Sequence, residues 1–531
     1  MSSLAGTGAL VRLALRRDRV MIPAWVLVLF SLVTSTASAF RSLYPTRESR
    51  LQFAGGIVHS PSLVAVYGPL YNPGSIGGLT AWRILAVVAA LAALMSVLLV
   101  VRHTRAEEEA GRLELVGSAA VGRLAPLTAA LVVTGGADLL LALLVAAGLA
   151  GLGLPAAGAL ALGLALGSAG LAFAALAAVT AQLAESARGA TGLAAGALGA
   201  AYLLRAVGDT TAASWLSWLS PIGWAERVRP FAGDRLAVVG LAVVVSAALA
   251  TAAYALVARR DLGAGLLPAR PGPAQASPWL RSPLALAWRL QRGPLLGWVA
   301  GFAVMGAAAG SVARGVEDLV TGSAQLEDVI RRMGGERGLV DSYLATVMGI
   351  AGVIAAGYAV QAALRLRSEE TGQRAEPLLA TPVSRIRWAW SHVVFAVAGT
   401  GVVLAAAGTA AGVSDGLRAG DVGGDLSRLL EGALVQLPAV WVVAGIATLL
   451  FGVAPRVAMA SWGALAAFFV LAEFGPVLRL SPWVIDLSPF AHVPHIPGSP
   501  LTPAPLIGLA ATAAVLTGAG LAGLRRRDIG D

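Results

Sequence analysis

The sequence predicts an all-α polytopic membrane protein of about twelve transmembrane helices, arranged as two parallel six-helix repeats. Three observations carry that expectation. Of 531 residues, 57% are hydrophobic and only 13% charged, with mean hydropathy +0.77; soluble domains carry roughly 25% charged residues. Apolar runs long enough to cross a bilayer, about 20 residues as a helix, recur along the whole chain. Landmarks of the first half return in the second, in the same order and at a nearly constant offset.

Residues 10–25 read LVRLALRRDRVMIPAW, in which Arg12, Arg16, Arg17 and Arg19 precede a long apolar run without a small-residue cleavage site. This pattern fits an amphipathic interfacial helix entering the first span, not a signal peptide. Apolar runs place spans near 21–40, 80–102, 124–149, 156–182, 189–207 and 236–258. A second set lies near 295–313, 344–365, 388–413, 432–454, 456–474 and 503–524. The division is therefore a first repeat over 1–263, a Pro-rich cytoplasmic linker over 264–283, and a second repeat over 284–531. Ala, Gly, Leu and Val dominate the spans, as close helix packing in lipid favours.

An even number of spans puts both termini on one side of the membrane. With that side cytoplasmic, 24 of the 39 arginines flank the spans inside, while the outer loops hold carboxylates such as Asp341, Asp415, Asp421 and Asp425. Arginine bias thus favours cytoplasmic termini in the cell membrane.

The spans are interrupted twice by a charged cassette. Residues 105–123 read RAEEEAGRLELVGSAAVGR and residues 367–385 read RSEETGQRAEPLLATPVSR. Glu108–Glu109 pairs with Glu369–Glu370, Glu114 with Glu376 and Arg123 with Arg385; in this register Gln373 is an insertion before Arg374, and Pro377 replaces Leu115. Glu107 precedes the first pair. Glu108 and Arg112 stand i,i+4, a spacing that stabilises a short polar helix, and Gly111 and Gly372 are placed to bend it. Further landmarks agree: ARRDLG at 258–263 with RRRDIG at 525–530, Leu219-Ser220-Pro221 with Leu487-Ser488-Pro489, and Trp25 with Trp298. Each repeat has six spans, so both keep one orientation. Two matched cytoplasmic cassettes favour docking of a partner over a solvated loop, and reversing Glu108 and Glu109, or Glu369 and Glu370, is expected to uncouple that partner.

Other chemistry is excluded by what is missing. The basic residues are all arginine, so the lysine of a P-loop is absent and ATP is not bound in that manner. There is no cysteine, and the five histidines form no H-E-x-x-H pattern; His492 and His495 stand three apart in a Pro-rich loop. No catalytic or metal site is expected, no cofactor bound by this chain, and nothing points to nucleic acid. Asp138 is a carboxylate within a span, where ionisable groups are costly and face a cavity or a partner. It and the weaker Gln361 and Gln436 are candidates for a substrate path or for interhelical hydrogen bonds; Thr400 occupies the matching position of Asp138. The Trp- and Pro-rich segments at 214–230 and 480–500, centred on Ser220-Pro221 and Ser488-Pro489, suit an outer gate or interfacial anchoring.

The cassette after the second span of each unit, the LSP turn before the sixth span and the RRD(L/I)G exit together resemble the permeases of ABC exporters. The two-unit form is similar to actinobacterial antibiotic-exporter permeases of the tetronasin-transport type, over essentially the whole chain. The resemblance implies a type V exporter-like fold with a coupling helix after each second span and short re-entrant helices at each LSP. It also implies a separate ABC ATPase in two copies, with ATP and Mg on that partner, and export of a hydrophobic or amphiphilic antibiotic or drug through the lipid membrane. A secondary, ion-coupled transporter of twelve helices is the alternative, for which Asp138 is the best anchor.

Overall fold

The computed structural model describes all residues except 1, 59–60, 118–120, 262, 268–273, 314–334, 475–480 and 529–531. Its described elements are helical, and eleven helices are long and apolar enough to cross a membrane. The protein is a multi-pass membrane protein. The chain divides into two compact units, Met1–Gly272 and Pro273–Asp531.

In the first unit an entry helix α1 (Thr7–Arg17) leads to α2 (Met21–Leu43). Two helices that the apolar pattern did not reveal, α3 (Arg47–Val58) and α4 (Pro61–Tyr67), cap the end at which α2 finishes. The spans α5 (Ile76–His103), α8 (Ala125–Gly151), α9 (Ala156–Leu183), α10 (Ala187–Thr210) and α12 (Ala237–Ala258) follow. The cassette forms α6 (Arg105–Glu109) and α7 (Arg112–Gly117), and α11 (Pro221–Arg227) lies between α10 and α12. The centre of the unit is α5 and α9, each buried on most of its circumference. Both lack a polar face, as expected of helices surrounded by other helices. Small residues permit the close approach: a methyl group on Gly163 of α9 would overlap the Ala142 carbonyl of α8.

The second unit runs through α13 (Pro283–Ala313), α14 (Gly335–Ala363), the cassette helices α15 (Arg365–Thr371) and α16 (Ala375–Leu379), and α17 (Arg385–Ala419). It continues with α18 (Val422–Leu434), α19 (Leu437–Val453), α20 (Ala460–Phe474), α21 (Pro482–Ile485) and α22 (Pro503–Arg526). The expected span at 456–474 is the short helix α20, whose apolar stretch Ala460–Ala472 falls below spanning length. Where α19 meets α22, Gly452 faces the Gly520 backbone and Gly520 faces the Thr448 backbone, so a methyl group added at either would clash.

The start of the expected linker is held by backbone hydrogen bonds. The N–H groups of Leu266 and Leu267 donate to Gln182 O at 3.2 Å and Leu183 O at 2.9 Å, strapping residues 264–267 to the end of α9. The middle of the linker, 268–273, lies outside the described residues.

Candidate functional site at the charged cassettes

The three glutamates of the first cassette point in three directions. Glu108 is buried and accepts two bonds from the Arg260 guanidinium, Nη1 to Oε1 at 2.6 Å and Nη2 to Oε2 at 2.8 Å. The Gly263 N–H adds a bond to Oε1 at 2.6 Å, and Arg105 Nη1 stands 3.2 Å from Oε2. This fork-on-fork geometry is the strong form of a charge-assisted bond. Arg105 is itself fully buried, with Nε donating to Ala181 O of α9 at 2.9 Å. Arg260 Nε reaches Gln182 Oε1 at 2.7 Å. Glu108 therefore clamps the cassette to the end of α12 and the end of α9.

Glu107 takes Arg17 of the entry helix at 2.5 Å and Arg112 through Nε at 2.7 Å and Nη2 at 2.9 Å. Glu109 Oε2 accepts the N–H of Ala187, the first residue of α10, at 2.9 Å. A carboxylate there satisfies a donor that the helix leaves free and meets the positive end of its dipole. Arg123 closes the ring, its Nη2 donating to Val257 O at 2.8 Å and Arg260 O at 2.6 Å.

The second unit repeats the clamp. Arg527 donates Nη1 to Glu370 Oε1 at 2.6 Å and Nη2 to Oε2 at 2.9 Å, and Arg385 Nη1 donates to Arg527 O at 2.7 Å. Arg367 lies 3.7 Å from Glu370. Glu369 pairs with Arg374 at 3.2 Å and with Arg365 at 2.7 Å.

These partners correct the register. Glu107 and Glu108 correspond to Glu369 and Glu370, so the cassettes match without a gap. Gln373 is not an insertion: it stands where Gly111 stands. Both adopt the left-handed backbone, φ +69° and +54°, and both N–H groups close a turn onto the second glutamate, Glu108 O at 2.9 Å and Glu370 O at 3.0 Å. Gly372 is a position earlier, at φ −84°, where no special conformation is needed. The left-handed turn also explains why Arg112 bonds Glu107 and not Glu108, because it breaks the helix that the i,i+4 spacing assumed. Arg112 and Glu114, like Arg374 and Glu376, remain exposed.

The other candidate residues lie elsewhere. Asp138 is 2% exposed, with Ser96 Oγ at 2.9 and 3.0 Å from its two oxygens, and Gly170 makes room for it between α8 and α9. Thr400, at its matching position, is buried and among the described residues bonds only its own helix, at Ala396 O and Val397 O. Gln361 accepts Trp298 Nε1–H at 2.8 Å, and Gln436 is buried at the start of α19 beside Gly352. Ser220 caps α11 by accepting Gly223 N–H at 3.2 Å, with Pro221 as the first helical residue. Ser488 instead donates to Phe468 O at 3.1 Å, ahead of a four-residue turn that opens on Pro489. The two LSP segments are thus not alike in detail.

One cluster escaped the sequence reading. At the end opposite the first cassette, fully buried Arg205 stands 3.1 Å from Glu226 and donates to Val66 O at 3.1 Å. Asp209 takes Ser217 Oγ–H at 2.7 Å and lies 3.6 Å from Arg227. Burial pushes the Glu226 carboxyl well above its ordinary range; Arg205 pulls it down and adjacent Asp209 pushes it up again. The available signal was three arginines and two carboxylates clustered between residues 205 and 229.

Residues 280–525 match the family described as the C-terminal domain of the multidrug efflux system permease Rv1217c. The chain is also 43% identical over 529 residues to the multidrug efflux system permease protein Rv1217c of Mycobacterium tuberculosis (strain ATCC 25618 / H37Rv), covering 99% of this chain and 96% of that relative.

Proposed function

The chain belongs to the family of multidrug efflux permeases, and from that premise we propose that it is the membrane subunit of an ATP-driven ABC exporter, of the tetronasin-transport type. A separate ATPase docks on the cytoplasmic cassettes, one copy on each, and carries the ATP and Mg. Both termini lie in the cytoplasm. The cargo is a hydrophobic or amphiphilic antibiotic or drug, moved outward across the cell membrane.

One observation supports this reading above the others. Each unit ties a short charged helix pair to the end of its last membrane helix through a buried bidentate arginine–glutamate clamp. Force applied to such a helix pair passes directly into a membrane helix, because the joint is rigid and buried. The clamp glutamates serve this joint, so they are not the docking groups. Docking falls to the exposed Arg112, Glu114, Arg374 and Glu376.

The test is co-purification of the ATPase with this chain. Glu114→Arg combined with Glu376→Arg is expected to lose the ATPase while the chain stays folded in the membrane. Retention of the ATPase at the wild-type ratio would refute the assignment.

A further inference from the structure

A cavity of about 450 Å³ lies against the first clamp. Its walls include Thr104, Leu113, Pro126, Leu127 and Val257, with Asp261 at the rim. That volume is typical of sites for small molecules, and the lining mixes these apolar side chains with Glu108, Arg123, Gln182 and Arg260. The second unit carries large rings at the matching places. Trp388 stands at the position of Pro126 and is buried edge-on against Phe451, and the Arg527 guanidinium lies 4.9 Å above Phe451. In the first unit Arg260 instead meets Gln182 and leaves the space open. At those places the first unit carries Pro126 and Gln182, and both line the cavity.

The charges around the cavity decide what it takes. Glu108 is taken up by Arg260 and Arg105. Arg123 is turned to the last carbonyls of α12, where a cation offsets the negative end of the helix. The Asp261 carboxylate is exposed and, among the described residues, makes no hydrogen bond or ion pair. We propose that this cavity binds a lipophilic cation, its apolar body between Leu113, Pro126, Leu127 and Val257 and its positive charge beside Asp261. Its identity as cargo rests on the export reading above; its binding does not.

Tetraphenylphosphonium serves as the probe, with triphenylphosphine oxide as a neutral comparison, on the full chain in lipid nanodiscs without any ATPase. Wild type is expected to bind the cation saturably. Pro126→Trp, which copies the ring of the second unit, is expected to weaken binding at least tenfold. Asp261→Asn is expected to lower the preference for the cation over the neutral compound about tenfold, while Trp388→Phe changes neither. Should Pro126→Trp fail to fold, Leu113→Phe narrows the same space and is expected to weaken binding likewise. Wild-type affinity in a folded cavity-filling variant, or an unchanged cation preference in Asp261→Asn, would overturn the proposal. Binding as expected without export of the probe from cells would leave the site standing and count against the export reading alone.

Discussion

Removing the Glu108 carboxylate is the sharpest perturbation of the first unit. Glu108→Ala takes away two bonds to Arg260 at 2.6 and 2.8 Å, the Gly263 bond at 2.6 Å, and the counter-charge 3.2 Å from Arg105. The Arg105 side chain is 1% exposed and that of Arg260 11%, so neither guanidinium recovers its hydration in place. Leaving one partner of a buried pair uncompensated costs about 3–5 kcal/mol. For a unit of this size each kcal/mol lowers the melting midpoint by about 2–4 °C, which places the expected loss near 10 °C. The assay is thermal unfolding of the purified chain in nanodiscs, with exposed Glu114→Ala as the comparison, expected within about 0.5 kcal/mol of wild type. Equal midpoints for the two variants would refute the clamp. The reversals that the sequence alone favoured, at Glu108 and Glu109 or at Glu369 and Glu370, fall under the same expectation: they damage the fold before they inform on coupling.

Three further outcomes follow from the structure. Because Glu226 holds its proton more tightly folded than unfolded, its contribution to stability is full below the ordinary glutamate value of about 4.3 and is lost as pH rises through the raised value. The chain should melt higher at pH 5 than at pH 8, and Glu226→Gln should flatten that difference; an undiminished slope in the variant would refute this role for Glu226. Gly170→Ala drives a methyl group into the Asp138 carboxylate and should cost about 1–3 kcal/mol, measured as a lower melting midpoint. Glu109→Ala removes the cap on Ala187 and should cost about 1 kcal/mol, visible as faster amide exchange at the start of α10. The second unit has Thr371 at the matching position, bonded among the described residues only to its own helix at Arg367 O and Ser368 O.

Much of the architecture was legible because lipid demands it. Apolar runs located the spans from Met21 to Arg526 within a few residues in most cases, since a bilayer fixes helix length and composition. The cassettes and the RRD(L/I)G exits were visible as repeated strings. Their meaning was not: Glu108 and Arg260 are 152 residues apart, and no local spacing reports that they meet. The register slipped by one because Glu109 extends a run of three acids, and only the partners of each carboxylate distinguish them. Gln373 hid the match to Gly111 because the shared feature is a backbone angle, which glycine advertises and glutamine does not. Asp138 stands out in the sequence as a carboxylate within a span, but composition does not tell a cavity from a serine and a glycine on neighbouring helices. The caps α3 and α4 escaped because they carry neither the length nor the apolar pattern of a span.

The proposed function holds that energy from ATP hydrolysed by a separate protein enters through the cassettes. The direct measurement is accumulation of a fluorescent drug in inverted vesicles containing this chain and its ATPase. The account predicts uptake that requires ATP, persists in the presence of a protonophore, and disappears in the Glu114→Arg, Glu376→Arg chain. Uptake driven by a proton gradient in vesicles that contain this chain and no ATPase would contradict it.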